Sequence, residues 1–84
     1  MLEIASFYGF TVSMDNEFKG EPCVMIDYKE DDISDRYDLK NERFINGSFP
    51  QSMIRILTEW MDEHIQILKA MWDEKKIAIL PNWE

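Results

Sequence analysis

The sequence predicts a two-layer α+β domain, a three- to four-stranded antiparallel β-meander covered on one face by a single long C-terminal helix. Three observations carry this. Residues 49–75 hold apolar side chains at helical spacing, and the residues before them fall into runs that alternate apolar and polar. The loops between those runs are short, which favours neighbouring antiparallel strands. One helix must then cover one face of the sheet. All 84 residues form a single domain, with the meander over about 5–45, the helix over about 49–75 and a tail over 77–84.

The first strand is read over residues 5–14. Tyr8, Phe10, Val12 and Met14 lie on the face to be buried, and Phe7, Gly9, Thr11 and Ser13 on the other. Asp15-Asn16 opens a turn, and Lys19-Gly20-Glu21-Pro22 closes the loop. The second strand runs from about Cys23 to Lys29, with Val24, Ile26 and Tyr28 opposite Cys23, Met25 and Asp27. Glu30-Asp31-Asp32 is a charged turn. A third strand, about Ile33 to Lys40, sets Ile33, Tyr37 and Leu39 against Ser34, Arg36 and Asp38. Asn41-Glu42 turns the chain, and Phe44-Ile45 adds a short strand before the helix.

Within the helix, Met53, Ile54, Leu57, Trp60, Met61, His64, Ile65, Leu68, Met71 and Trp72 fall in an arc of roughly 140° at about 100° per residue. Ile56 and Ile67 widen the stripe at one edge, while Arg55, Glu59, Asp62, Gln66 and Asp73 form the opposite side. The start is marked by Asn46-Gly47-Ser48 and Pro50. Ser48 and Gln51 have the spacing of a capping box, or Phe49 is the cap with Pro50 first in the helix. Lys75 and Lys76 suit the C-terminal end of the dipole. Ile77-Ala78-Ile79-Leu80 is a short β-prone run closed by Pro81.

Nine basic and seventeen acidic residues give a net charge of −8. No basic stripe is left to meet phosphates, so neither nucleic acid nor an anionic membrane is expected as a partner. No stretch approaches the roughly 18 apolar residues of a membrane span, and Met1-Leu2-Glu3-Ile4 does not resemble a signal peptide. A single cysteine forms no internal disulfide, which makes a reducing, cytoplasmic setting the expectation.

Several short motifs occur in a fixed order: Ser6-Phe7-Tyr8-Gly9, a strand led by Pro22, Tyr37-Asp38-Leu39, Gly47-Ser48-Phe49-Pro50, and Leu57-x-Glu59-Trp60-x-x-x-His64. Together they resemble a bacterial family of unknown function, the domain-of-unknown-function (DUF) 4160 family, over nearly the whole chain. Its members begin with I-x-R-F-F/Y-G-I, carry P-H-F-H on a strand, and have E-G-x-L-P before a helix bearing L-x-E-W-x-x-x-H. Lys76-Ile77 through Leu80-Pro81 stands where the family closes with K-I-x-P-L. The chain departs at two places. Pro22-Cys23-Val24-Met25 replaces P-H-F-H, and Ser6 stands in place of an arginine. Any metal or acid–base role of the family's two strand histidines is therefore not carried over. Genes of the family often lie beside a second small domain in arrangements suggesting toxin–antitoxin pairs. The resemblance thus implies a protein partner and not an enzyme, by association alone.

His64 lies near the middle of the apolar arc. A general base or metal ligand there needs converging partners, and the chain has no second histidine. The simpler reading is a bond to a sheet hydroxyl of Tyr8, Tyr28 or Tyr37, making His64, Tyr28 and Tyr37 a polar core site. Cys23 and Met25 share one strand face, but two soft side chains do not close a metal site. An EF-hand register from Asp31 to Glu42 fails, because Ile33 takes a ligand position and Arg36 the glycine position. Neither cofactor nor metal is predicted. Phe7, Met25, Phe44 and Trp83 are the partner-binding candidates if the helix leaves them uncovered. The other arrangement has Ile77–Leu80 folding back as an edge strand over them. The expected function is protein–protein interaction, with a protein partner or a second copy. The alternative is a small enzyme or metal-binding domain using His64 with nearby carboxylates.

Overall fold

The computed structural model describes residues 1–81. Trp83, one of the four partner-binding candidates, lies outside the described residues. The chain forms β1 (Leu2–Phe7), β2 (Phe10–Met14), β3 (Cys23–Tyr28), β4 (Ile33–Asp38), β5 (Arg43–Phe44) and α1 (Gln51–Glu74), with a short 3-10 turn at Lys29–Asp31. The strands lie in sequence order in one antiparallel sheet, and α1 covers one face. This is the predicted α+β meander, with five strands in place of three to four. No helix among the described residues is long and apolar enough to cross a membrane.

The largest correction is at the start. Residues 5–14 are not one strand, because the chain reverses at Tyr8 and Gly9. Both have positive φ, 45° and 86°, as in a two-residue type I′ hairpin. Phe7 pairs with Phe10 across the turn, so both rings point inward. Phe7, expected on the outer face, is wholly buried, and Tyr8, expected in the core, is 54% exposed. Tyrosine favours strands and a single glycine fits their alternation, so local preference pointed to continuous extension. Gly9 is required by its φ, and a Cβ there would stand 2.9 Å from Tyr28 Cε1. A bulge between Glu3 and Ala5 shifts the register of β1, so consecutive Ile4 and Ala5 are both buried.

The remaining strands keep the predicted faces. Val12, Val24, Ile26, Tyr37 and Leu39 point inward and are buried. Asp35 is inward as well, at 2% exposure. Its carboxylate accepts N–H bonds from Arg36 (2.7 Å), Asn46 (3.0 Å), Gly47 (2.9 Å) and Ser48 (3.1 Å). Burial raises the pKa of this carboxyl, but the four N–H donors outweigh it and hold the group below the ordinary range. Asp35 thereby ties the loop that leads into α1 to β4.

Neither expected cap forms. Pro50 occupies the N-cap position without a side-chain bond, and the Ser48 N–H is already given to Asp35. At the other end Lys75 adopts the left-handed conformation, φ 57°. The Lys76 N–H reaches back to the Met71 carbonyl at 3.1 Å, closing a Schellman-type turn. The helix buries Leu57, Trp60, Met61, Ile65, Leu68, Met71 and Trp72. Ile67, at the edge of the stripe, stays exposed.

Aromatic rings knit the two layers together. The Trp60 indole stacks on Phe7 at 4.9 Å and 9°, and Phe10 meets Tyr28 at 4.9 Å and Phe49 at 6.0 Å. Phe18, from the β2–β3 loop, packs edge-on against Trp72 at 5.5 Å. The tail returns to β1, yet Ile77–Leu80 forms no strand. One backbone bond joins them, Leu80 N–H to the Ile4 carbonyl at 2.7 Å. It meets β1 at the bulge, and Pro81 has no N–H with which to extend a ladder.

Candidate functional site

With α1 on the inner face, the outer face of the sheet is composed by strand register. Ser6, Thr11, Asp27 and Ser34 form one cross-strand row; Glu3, Ser13, Met25 and Arg36 form the next. Cys23, Asp38 and Arg43 form a third. The face is therefore small and polar, not the apolar surface expected of it. Of the three partner-binding candidates among the described residues, Phe7, Met25 and Phe44, Met25 alone belongs to it. Phe44 points the other way, packing edge-on against Tyr37 at 5.1 Å and near Phe49 at 6.0 Å.

One end of this face is indented. The β2–β3 loop overhangs β3, β4 and β5 to leave a hollow of about 450 Å³ whose wall includes Lys19, Glu21, Cys23, Arg36, Asp38 and Arg43. Pro22 and the half-exposed Ile45 supply apolar wall. Asp15 shapes the overhanging loop by accepting the N–H groups of Glu17 (2.9 Å) and Lys19 (3.3 Å).

The charges in the hollow are unevenly committed. Lys19 pairs with Glu17 at 3.1 Å. Asp38 accepts the Asn41 side-chain amide at 2.7 Å and the N–H groups of Lys40 (2.8 Å) and Asn41 (3.1 Å). These bonds, the Asn41 amide foremost, keep its carboxyl below the ordinary range. Among the described residues neither the Arg36 nor the Arg43 side chain makes a salt bridge or a hydrogen bond, although Asp38 stands opposite Arg43 in register and the two attract. Both guanidinium groups are exposed and free to meet an anion in a two-pronged geometry. Burial pushes the Cys23 thiol up, with Arg36 only partly opposing. It stays a neutral thiol, and a nucleophile there would need the thiolate.

The polar core site is not assembled. His64 Nδ1 lies 2.7 Å from the Trp60 carbonyl of its own helix, not against a tyrosine hydroxyl, and its ring stacks on Trp60 at 4.3 Å. The helix satisfies the ring one turn back, so no sheet partner is needed. Tyr28 donates its hydroxyl to Glu30 at 3.2 Å, and Tyr37 lies under the β5 edge. Among the described residues no group of three or more His, Cys, Asp or Glu side chains is placed to hold a metal. Trp60 Nε1 is buried without a hydrogen-bond partner. The indole stacks with both Phe7 and His64.

Asp35 and the Arg36–Arg43 pair went unnoticed in the sequence. Asp35 had a signal, a charged residue at an inward position between Ile33 and Tyr37. Arg36 was correctly placed on the outer face, but its proximity to Arg43 depends on β5 pairing with β4, which no short motif announces. Comparison with known proteins adds no relative: no family model matches the chain, and no curated protein or solved structure matches it.

Proposed function

We propose that this protein is a small cytoplasmic protein–protein interaction module that engages its partner through the outer face of the sheet. The resemblance to the DUF 4160 family supports a further step, that it is one member of a bacterial toxin–antitoxin-like pair. The observation that carries the reading is the asymmetry of the layers. The helix closes one face, and among the described residues no second layer covers the other, where the Arg36 and Arg43 side chains make no salt bridge. The sheet edges are poorer docking sites. β5 has two residues, and β1 is interrupted by its bulge and touched by the tail. A net charge of −8 opposes self-association and phosphate backbones alike, favouring a different protein as partner. A single cysteine agrees with a reducing compartment.

Size-exclusion chromatography with light scattering, together with a pull-down from lysate of the source cells, tests this. A stoichiometric complex with a second protein is the expected result. A strict monomer that retains nothing contradicts it.

A further inference from the structure

We infer that Asn46-Gly47 is a site of spontaneous deamidation gated by Asp35. The reaction is held off while the Asp35 carboxylate binds the Gly47 N–H, and its products release the loop that leads into α1. Three observations lead to it.

First, the reacting groups are adjacent and open to water. Asparagine deamidates when the amide nitrogen of the next residue attacks its side-chain carbonyl carbon, and a following glycine has no Cβ to obstruct that approach. Asn46 and Gly47 are both exposed, and a Cβ at Gly47 would meet nothing within 4 Å. Among the described residues the Asn46 side-chain amide makes no hydrogen bond. Asn16 and Asn41 are instead followed by Glu17 and Glu42, whose side chains crowd the same approach. Asn41 Nδ2 is also held by Asp38 at 2.7 Å.

Second, the nucleophile is occupied. The Gly47 N–H donates to Asp35 Oδ2 at 2.9 Å. The Asn46 and Ser48 N–H groups on either side donate to the same carboxylate at 3.0 and 3.1 Å. To attack, the Gly47 nitrogen must shed its proton. Against a carboxylate only 2% exposed, a second negative charge on its own donor is strongly opposed. The loop has to leave Asp35 before the ring can close, so the rate follows local opening. In the open loop the Gly47 nitrogen bonds to Asn46 Cγ and the Cγ–Nδ2 bond breaks. Nδ2 departs with the Gly47 proton as ammonia, leaving a succinimide. Water then opens the succinimide at either carbonyl, giving aspartate or isoaspartate.

Third, neither product suits the latch. Aspartate at position 46 adds a negative charge to a residue whose own N–H binds the Asp35 carboxylate. Isoaspartate also lengthens the main chain by one methylene between the two N–H groups that grip the carboxylate together. Phe49, two residues beyond Gly47, is buried against Phe10 and Phe44. A released loop therefore loosens the entry to α1 as well.

The full-length protein is incubated at neutral pH, and its tryptic fragment 44–55 is followed by mass spectrometry for conversion of amide to acid. Conversion at Asn46 should be at least about tenfold slower in the native chain than in the same chain held unfolded in guanidinium chloride. Asp35→Asn removes the charge and leaves one acceptor oxygen, and should speed conversion in the native chain about fivefold or more. Gly9→Ala destabilises the fold away from this loop. It should leave the native rate within about twofold of wild type, because local opening and not global unfolding frees the nitrogen. Chains carrying isoaspartate at position 46, separated from unmodified ones, should unfold at lower denaturant. Equal rates in native and unfolded wild type overturn the inference, and that comparison needs no variant. It is equally overturned if Asp35→Asn, folded by its amide spectrum, converts no faster than wild type, or if Gly9→Ala accelerates conversion as much. An isoaspartate chain with the wild-type unfolding midpoint removes the proposed release of the loop.

Discussion

On the inner face of the sheet, Phe7, Val12, Val24 and Ile26 are wholly buried beneath the helix. On the outer face the same strands display Ser6, Thr11, Met25 and Asp27. Strand geometry forces the alternation, but what fills each side differs in kind. The inner face is filled by interlocking aromatic rings and admits a single polar anchor, Asp35, whose carboxylate is satisfied by four backbone donors. On the outer face, small and polar side chains surround a hollow in which Asp38 holds its own turn and the Arg36 and Arg43 side chains make no salt bridge among the described residues. Stability should therefore be concentrated on one side of the sheet and binding on the other, and substitutions can test that division.

The largest loss is expected at Trp60, which is wholly buried and stacks with both Phe7 and His64. Trp60→Ala should cost about 4 kcal/mol in urea unfolding, a large part of what a domain of this size possesses. Trp60→Phe keeps a ring in the stack and removes the unpartnered Nε1–H, and should cost markedly less.

Next comes Asp35→Ala, which strips four backbone donors of their acceptor and should cost about 3 kcal/mol. Its pH dependence is specific. The folded pKa of Asp35 is depressed, so its contribution is complete above the unfolded value of about 4 and disappears as pH falls through the lower folded value. Asp35→Asn, which retains one acceptor oxygen, should flatten the stability profile in that acid window. An unchanged profile would mean that the loop before the helix is held by something else.

Smaller effects belong to the turns. Gly9→Ala forces a side chain into φ 86° and against Tyr28, and should cost about 1–2 kcal/mol. Lys75→Gly works in the opposite direction, relieving a left-handed non-glycine at the helix end, and should raise stability by about 1 kcal/mol. The smallest change in stability is expected on the outer face. Ser34→Ala and Arg36→Gln should each leave unfolding within about 0.5 kcal/mol of wild type. A large loss there would erase the distinction between the two faces.

The helix and the faces of β3 and β4 were legible because their apolar residues recur at one unambiguous period. Tyr8-Gly9 was not, since a strand-favouring tyrosine and one glycine give no strong turn signal, and missing the turn placed Phe7 and Tyr8 on the wrong sides. The helix start was misread for a different reason. Ser48 has the chemistry of a cap, but the loop that holds it is fixed by Asp35, thirteen positions earlier in the chain, which accepts its N–H, and local patterns do not report so distant a partner. The hollow was the least legible of all, because it needs the register of three strands and one loop together.

The division of labour between the two faces is tested most directly by placing a photo-crosslinking amino acid at single positions and irradiating the source cells. Thr11 and Ser34 sample the outer face; Asp62 and Gln66 sample the exposed side of the helix. A discrete adduct with a second protein is expected from the first pair and not from the second. Adducts formed from the helix positions alone would contradict the account.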